Sequence, residues 1–253
     1  MGVAQARTAD IALIAAASGY DALWIDLEHN ATTLDTTSML CSAALGAGLA
    51  TVVRVPSHDP HDMTRALDVG AQGLIVPHVN SAQEARRIVA SCKFPPIGHR
   101  SVTVPNALIR YRPMALRDMV ELINRESIIT AMIETPEAVD NASEIAAVDG
   151  IDMLLIGPVD LTAEMGIIGQ FDDSRFLSAV NRVADACRES GKVFGIAGIK
   201  DMELLAKFWD IGLRFINVGN DTAFLTAGAR TSHDQVRALA SRKRSSGADI
   251  KAR

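Results

Sequence analysis

Eight short apolar runs, each followed by an amphipathic stretch, constrain this 253-residue chain more than any other feature. The runs are Gly2 to Gln5, Ala22 to Asp26, Thr51 to Arg54, Gly73 to Pro77, Ile129 to Glu134, Met153 to Gly157, Val193 to Ala197 and Phe215 to Gly219. Such a regular alternation is the pattern of repeated βα units around a parallel sheet. Eight is the number at which such a sheet closes, so the chain is expected to fold as a single (β/α)8 barrel of the α/β class. The first run is the weakest and is assigned as a strand mainly because a closed barrel requires one.

The intervening segments carry helix punctuation. Ile11 to Ala17 is nearly all apolar and stops before Gly19, and Ser81 with Glu84 forms a capping box ahead of Ala85, Ile88 and Val89. Thr135 and Pro136 make an N-cap and first-turn pair, which fixes Glu134 at the C-terminal end of its strand. Asp173 precedes a stripe of Phe176, Val180, Val183 and Cys187. Phe94 to Glu121, rich in proline, is too long for a simple connection and is expected to be an active-site loop or a subunit contact. Residues 1–241 read as one barrel domain, and 242–253 as a polar, frayed tail.

Composition narrows the function. A net charge of -5 offers no footprint for nucleic acid or an anionic membrane. No apolar stretch reaches membrane-spanning length, and the N-terminus lacks the order of a signal peptide. Cys41, Cys92 and Cys187 have no ligand-like spacing and read as buried, reduced thiols. These features point to a soluble, cytoplasmic protein.

Polar residues gather where the runs end. Glu134 ends one strand and Asp160 follows another, and in a parallel barrel both reach the same mouth, where two carboxylates plus water suit a hard divalent cation. Each acid also suits a plainer role, stabilising the start of a helix. Arg54 ends the third run, placed to stabilise an oxyanion or enolate or else to pair with a carboxylate. His29, beside Asp26 and Glu28, is a candidate base because imidazole titrates near neutral pH.

Weaker features remain. His58 and His61 have metal-like spacing but no third ligand nearby, and fit a solvated entry to a helix. The backbone N–H groups of Val159 and Asp160, in Gly157-Pro158-Val159-Asp160-Leu161, suit a carboxylate or phosphate. Lys200, past the seventh run, is the lysine placed for a Schiff base, although a surface role fits it better.

With these residues in place, the sequence resembles the HpcH/HpaI aldolases, metal-dependent class II pyruvate aldolases related to 2-dehydro-3-deoxyglucarate aldolase and 4-hydroxy-2-oxoheptanedioate aldolase. The matching words are Gly19-Tyr20-Asp21 leading to Asp26-Leu27-Glu28-His29, Val53-Arg54, Leu67-Asp68-Val69-Gly70-Ala71-Gln72, Ile75-Val76-Pro77, Phe94-Pro95-Pro96, Ile133-Glu134-Thr135 and Ile156-Gly157-Pro158-Val159-Asp160-Leu161. They run in order over nearly the whole chain. The resemblance implies a barrel of the phosphoenolpyruvate/pyruvate type, a hexamer built as a trimer of dimers with exchanged C-terminal helices, and active sites near subunit contacts. It implies that Glu134 and Asp160 hold Mg²⁺ or Mn²⁺, with Co²⁺ or Zn²⁺ as alternatives. It further implies that Arg54 stabilises the enolate, His29 is the base, Asp68 makes that histidine more basic, and Asp26 holds metal-bound water. On the run order alone, Asp68 falls between a helix and the fourth strand, nominally at the far end of the barrel. Two positions depart from the family pattern: Met132 stands where a glutamine is expected, and Ser101 where glycine is usual.

The expected activity is therefore reversible cleavage of a 4-hydroxy-2-oxo acid to pyruvate or hydroxypyruvate plus an aldehyde, through a metal-bound enolate. Gly157, Pro158, Val159 and Asp160, with Met132 and Arg54, are the expected substrate contacts. Rival readings are an oxaloacetate decarboxylase, an acyl-CoA lyase resembling the citrate lyase β chain, and a catalytically silent barrel that senses a ligand.

Overall fold

The computed structural model describes residues 1–104 and 107–248. Its eight strands are β1 (Gly2–Val3), β2 (Ala22–Asp26), β3 (Ala50–Arg54), β4 (Gly73–Val76), β5 (Ile128–Ile133), β6 (Met153–Ile156), β7 (Val193–Ala197) and β8 (Leu213–Asn217). All pair in parallel in chain order, each with the next. The ring closes just past β8, where Gly2 N–H donates to the Gly219 carbonyl at 2.9 Å and Gly2 bridges Asn220. β8 starts two residues earlier than expected. Leu213 is fully buried and anchors the strand, while Val218 and Gly219 leave the ladder to meet β1. β1 keeps only its first two residues, because the amides of Ala4, Gln5 and Ala6 turn to the Asp221 carboxylate instead of a neighbouring strand.

The helix signals correspond to the structure. Ser81 and Glu84 form the reciprocal capping box of helix Ala82–Cys92, Thr135 caps Pro136–Asp140, and Asp173 caps Ser174–Ser190. Gly19 takes a φ of +80°, a left-handed conformation that ends the first helix at low steric cost. The helix Leu116–Glu126 and the short turn Ala107–Ile109 break up the long proline-rich stretch. That stretch joins a helix to the start of β5, so it lies at the N-terminal end of the strands. Within one chain it is therefore not a loop over the C-terminal mouth. The final helix, Asp221–Ala248, continues past Arg242, where the tail was expected to begin; residues 249–253 lie outside the described residues. No described helix is long and apolar enough to cross a membrane.

Strand periodicity places the site. Trp24, Val52, Ile75, Met132 and Leu155, from β2 to β6, form one buried apolar layer inside the barrel. Alternate residues of a strand share a face, so the next inward positions are Asp26, Arg54, Pro77, Glu134 and Gly157. These form the floor of the mouth, directly above that apolar layer.

Candidate active site

The mouth holds a cavity of about 360 Å³ whose wall includes Asp26, His29, Arg54, Met132, Gly157 and Asp160. Asp26 and Arg54 are register partners on β2 and β3. Arg54 grips Asp26 with both prongs, Nε to Oδ1 at 2.9 Å and Nη2 to Oδ2 at 2.8 Å, and its Nη1 lies 2.9 Å from Glu28 Oε2. The guanidinium also sits 5.5 Å from the Trp24 ring centre. Such a fork is held in one orientation, with its remaining N–H groups available at the mouth. Asp26 further accepts from Asn30 Nδ2 at 2.7 Å and from the Glu28 amide at 3.1 Å. Burial by itself would raise the Asp26 carboxyl, but the Arg54 hydrogen bonds and charge outweigh it and hold the group below the usual carboxylate range.

Glu134 is 1% exposed. Its Oε2 accepts the backbone N–H of His78 at 2.8 Å, and the His78 ring Nδ1 lies 3.3 Å from the same oxygen. Burial pushes the Glu134 carboxyl above its ordinary range; the His78 amide and ring oppose this, while the nearby charges of Asp160 and Glu28 add to it. Asp160 stands exposed in the first turn of helix Pro158–Glu164, and its carboxylate makes no hydrogen bond or ion pair among the described residues. Two acids so placed destabilise each other, and a bound cation relieves that repulsion, so the donor set fits a hard divalent ion. No group of three or more His, Cys, Asp and Glu side chains forms a ready cage among the described residues. The two acids would thus supply part of a shell and leave positions for water and a chelating substrate.

Gly157 explains how Glu134 reaches its place. A Cβ at Gly157 would lie 2.7 Å from both Cγ and Oε1 of Glu134 and 2.9 Å from Met132 Cε, so only glycine admits the carboxylate there. Met132, 3% exposed, puts a thioether where an amide would have offered hydrogen bonds.

His29 stands at the rim with its side chain 64% exposed, Nε2 being 3.6 Å from Glu28 Oε2. Asp68 is not brought to it. Asp68 ends helix Pro60–Asp68, which leads back to the start of β4, and its Oδ1 accepts from Arg100 Nη2 at 2.7 Å. Within the chain, the histidine's charged neighbour is Glu28. Lys200 is exposed beyond β7, and His58 and His61 do not converge on a metal position: Asp59 caps the helix at the His61 amide, while His58 Nε2 contacts the Pro77 carbonyl at 2.6 Å.

Sequence reasoning missed two residues. Glu28 was noted only as a neighbour of His29, yet it joins Arg54, His29 and His78, whose Nε2 lies 3.7 Å from its Oε1. His78 was overlooked altogether, although it is the first residue past Pro77 and the strand-end rule that found His29 applies to it equally. Its φ of +52° was not readable from the sequence.

A parallel barrel with acids, an arginine and a histidine converging at its C-terminal mouth has the outline of an enzyme active site. The model of the HpcH/HpaI aldolase/citrate lyase family matches residues 3–227, and the chain belongs to that family. It is 38% identical over 234 residues to a 4-hydroxy-4-methyl-2-oxoglutarate aldolase of Chaetomium globosum, covering 90% of this chain and 87% of the relative. It is also 38% identical over 221 residues to a 4-hydroxy-2-oxovalerate aldolase of Novosphingobium aromaticivorans, covering 87% and 83%. Among solved structures, the HpcH/HpaI aldolase from Desulfitobacterium hafniense superposes with a TM-score of 0.89 at 30% identity, covering 93% of this chain and 91% of that one.

Proposed function

We propose that this chain is a divalent-metal-dependent class II aldolase that reversibly cleaves 4-hydroxy-2-oxo acids to pyruvate or hydroxypyruvate plus an aldehyde. The observation that carries this reading is the buried Glu134 carboxylate set near Asp160, beside an arginine locked by Asp26 and Glu28. Glu134 and Asp160 would hold a divalent ion, Mg²⁺ or Mn²⁺ before Co²⁺ or Zn²⁺, which would supply Lewis acidity toward the 2-oxo acid.

Arg54 directs its remaining N–H groups at the oxygen where negative charge develops. Asp26 and Glu28 hold that guanidinium so that little reorganisation is needed as the charge forms. His29 takes the proton from the C4 hydroxyl during cleavage; the C3–C4 bond breaks, its electron pair stays on the 2-oxo acid half, and the aldehyde leaves. A proton then returns to C3, from His29 or from water. The carboxylate of the 2-oxo acid lies against Gly157, Pro158 and the amides of Val159 and Asp160, with Met132 as an apolar neighbour. Asp68 supports His29 only if it comes from another subunit, since within the chain it is at the far end of the barrel. The exposed Leu225, Val236 and Leu239 of helix Asp221–Ala248 support an assembly with exchanged C-terminal helices, a hexamer in this reading. The free, buried Cys41, Cys92 and Cys187 suit a cytoplasmic enzyme.

The test is retro-aldol cleavage by the full chain, measured as pyruvate released. A chelator should abolish it, and Mg²⁺ or Mn²⁺ should restore it. Borohydride with pyruvate should leave Lys200 untagged. Chelator-resistant cleavage with a labelled lysine would replace the metal reading with a Schiff base.

A further inference from the structure

The two oxygens of the Glu134 carboxylate have unlike surroundings. Strand β5, which ends at Ile133, runs between β4 and β6. Glu134 therefore has the residues that follow β4 on one side and those that follow β6 on the other. Its Oε1 lies on the β6 side, 2.7 Å from the point where a Cβ of Gly157 would stand, with Asp160 three residues further along the chain. Its Oε2 lies on the β4 side, where it accepts the His78 amide at 2.8 Å and has the His78 ring Nδ1 at 3.3 Å. One oxygen is turned to the segment that carries the second acid, and the other meets two nitrogens of a single residue.

His78 is itself held from more than one direction. Val79 N–H donates to the Met132 carbonyl at 3.2 Å, which ties the chain beyond β4 back to β5. Between that tie and Pro77, the His78 backbone takes its φ of +52°, a region that non-glycine residues enter seldom and that favours Asn, Asp and His among them. The turn brings the amide and the ring of one residue to the same carboxylate oxygen. On the far side of the ring, Nε2 lies 3.7 Å from Glu28 Oε1, and Glu28 is in turn 2.9 Å from Arg54 Nη1. The side chain is 55% exposed, so packing does not fix it. Its place is set by the two carboxylates between which it stands.

We propose that His78 is a positioning residue for the metal carboxylate: its ring and amide together engage Oε2, so that Glu134 offers a divalent ion Oε1 alone. This rests on the assignment of Glu134 to the metal and deepens it. A hard cation accepts a carboxylate through one oxygen or through both. A Glu134 free to turn would take the second mode and fill a position that water or a chelating substrate needs. Holding Oε2 keeps that position open. Partners that hold a ligating carboxylate in this way commonly contribute about tenfold or more to metal affinity.

The test titrates the full chain with Mn²⁺ and follows it by electron paramagnetic resonance and water-proton relaxation, which read affinity and bound water without turnover. His78→Gly removes the ring, keeps the amide and accepts the left-handed turn at no steric cost. His78→Asn keeps an N–H donor bonded to Cγ, as Nδ1 is, and also tolerates the turn. The glycine variant should bind Mn²⁺ about tenfold more weakly. Its bound ion should carry about one water fewer, because Glu134 then takes the ion with both oxygens. The asparagine variant should recover most of the affinity and the missing water. Wild-type affinity or wild-type hydration in the glycine variant, or an asparagine variant no better than glycine, would overturn the role of the ring. A wild-type chain that binds no Mn²⁺ would remove the metal reading itself and this proposal with it, so the two failures are told apart.

Discussion

His58 Nε2 lies 2.6 Å from the carbonyl oxygen of Pro77, and the N–H at the other end of that same peptide unit donates to Glu134 Oε2 at 2.8 Å. One peptide plane is thereby held from both sides. It leads into His78, whose φ of +52° is a conformation that non-glycine residues adopt only at a cost. His58 is a brace for the carboxylate, acting through Pro77 and His78. His58→Ala should leave a folded protein whose Mn²⁺ affinity falls about three- to tenfold, and His58→Gln, which keeps a donor at similar reach, should recover most of it. Equal metal titrations for the alanine and glutamine variants would show that the brace is immaterial.

Gly157 offers a sharper steric test. Because an added Cβ would come within 2.7 Å of Glu134 Cγ and Oε1, Gly157→Ala must displace the carboxylate or the strand end. Overpacking of this kind costs roughly 1–3 kcal/mol of stability. Catalysis should suffer more than folding, with turnover reduced on the order of a hundredfold and metal binding weakened. A variant that binds metal like wild type would show that Glu134 tolerates movement and is not held to one position.

Much of this was legible in the sequence, and the failures have physical causes. The eight strands follow from apolar runs whose burial leaves few alternatives, and Glu134 follows from its cap, Thr135-Pro136. The end of β8 was misplaced because Phe215 to Gly219 looks as apolar as a strand, while barrel closure draws Gly219 onto Gly2. The role of Asp26 could not be read from its own neighbourhood. Its donors include Arg54, Asn30 and the Glu28 amide, and the 28-residue separation from Arg54 is bridged only by strand register. His78 escaped notice because a left-handed turn, not a motif, aims it at Glu134.

The arginine fork can be tested by charge-conserving replacement. Lysine at position 54 keeps a positive charge but cannot reproduce the contacts to both Asp26 oxygens and to Glu28 at once. Arg54→Lys should fold, bind metal nearly as well, and lose turnover on the order of a hundredfold, the scale of removing one oxyanion donor. A kcat close to wild type would confine Arg54 to a structural salt bridge.

Glu134 should trade stability for function in the metal-free protein. Its folded pKa is raised by burial and by the charges of Asp160 and Glu28, despite the His78 amide. A group shifted upwards favours the folded state fully only below its unfolded pKa, and that contribution is lost as pH rises through the folded value. At neutral pH the ionised Glu134 is therefore a net liability unless a cation compensates it. In chelator-treated protein, Glu134→Gln should raise the melting temperature at pH 7 by about 2–4 °C, the shift that ~1 kcal/mol produces in a chain of this size. The gain should fade below about pH 4, where the wild-type side chain is protonated as well. Adding Mn²⁺ should reverse the order by stabilising the wild type and not the variant. Thermal melts across pH, with and without metal, check all three statements, and a variant less stable than metal-free wild type at pH 7 would show that Glu134 is held as a charge by its neighbours alone.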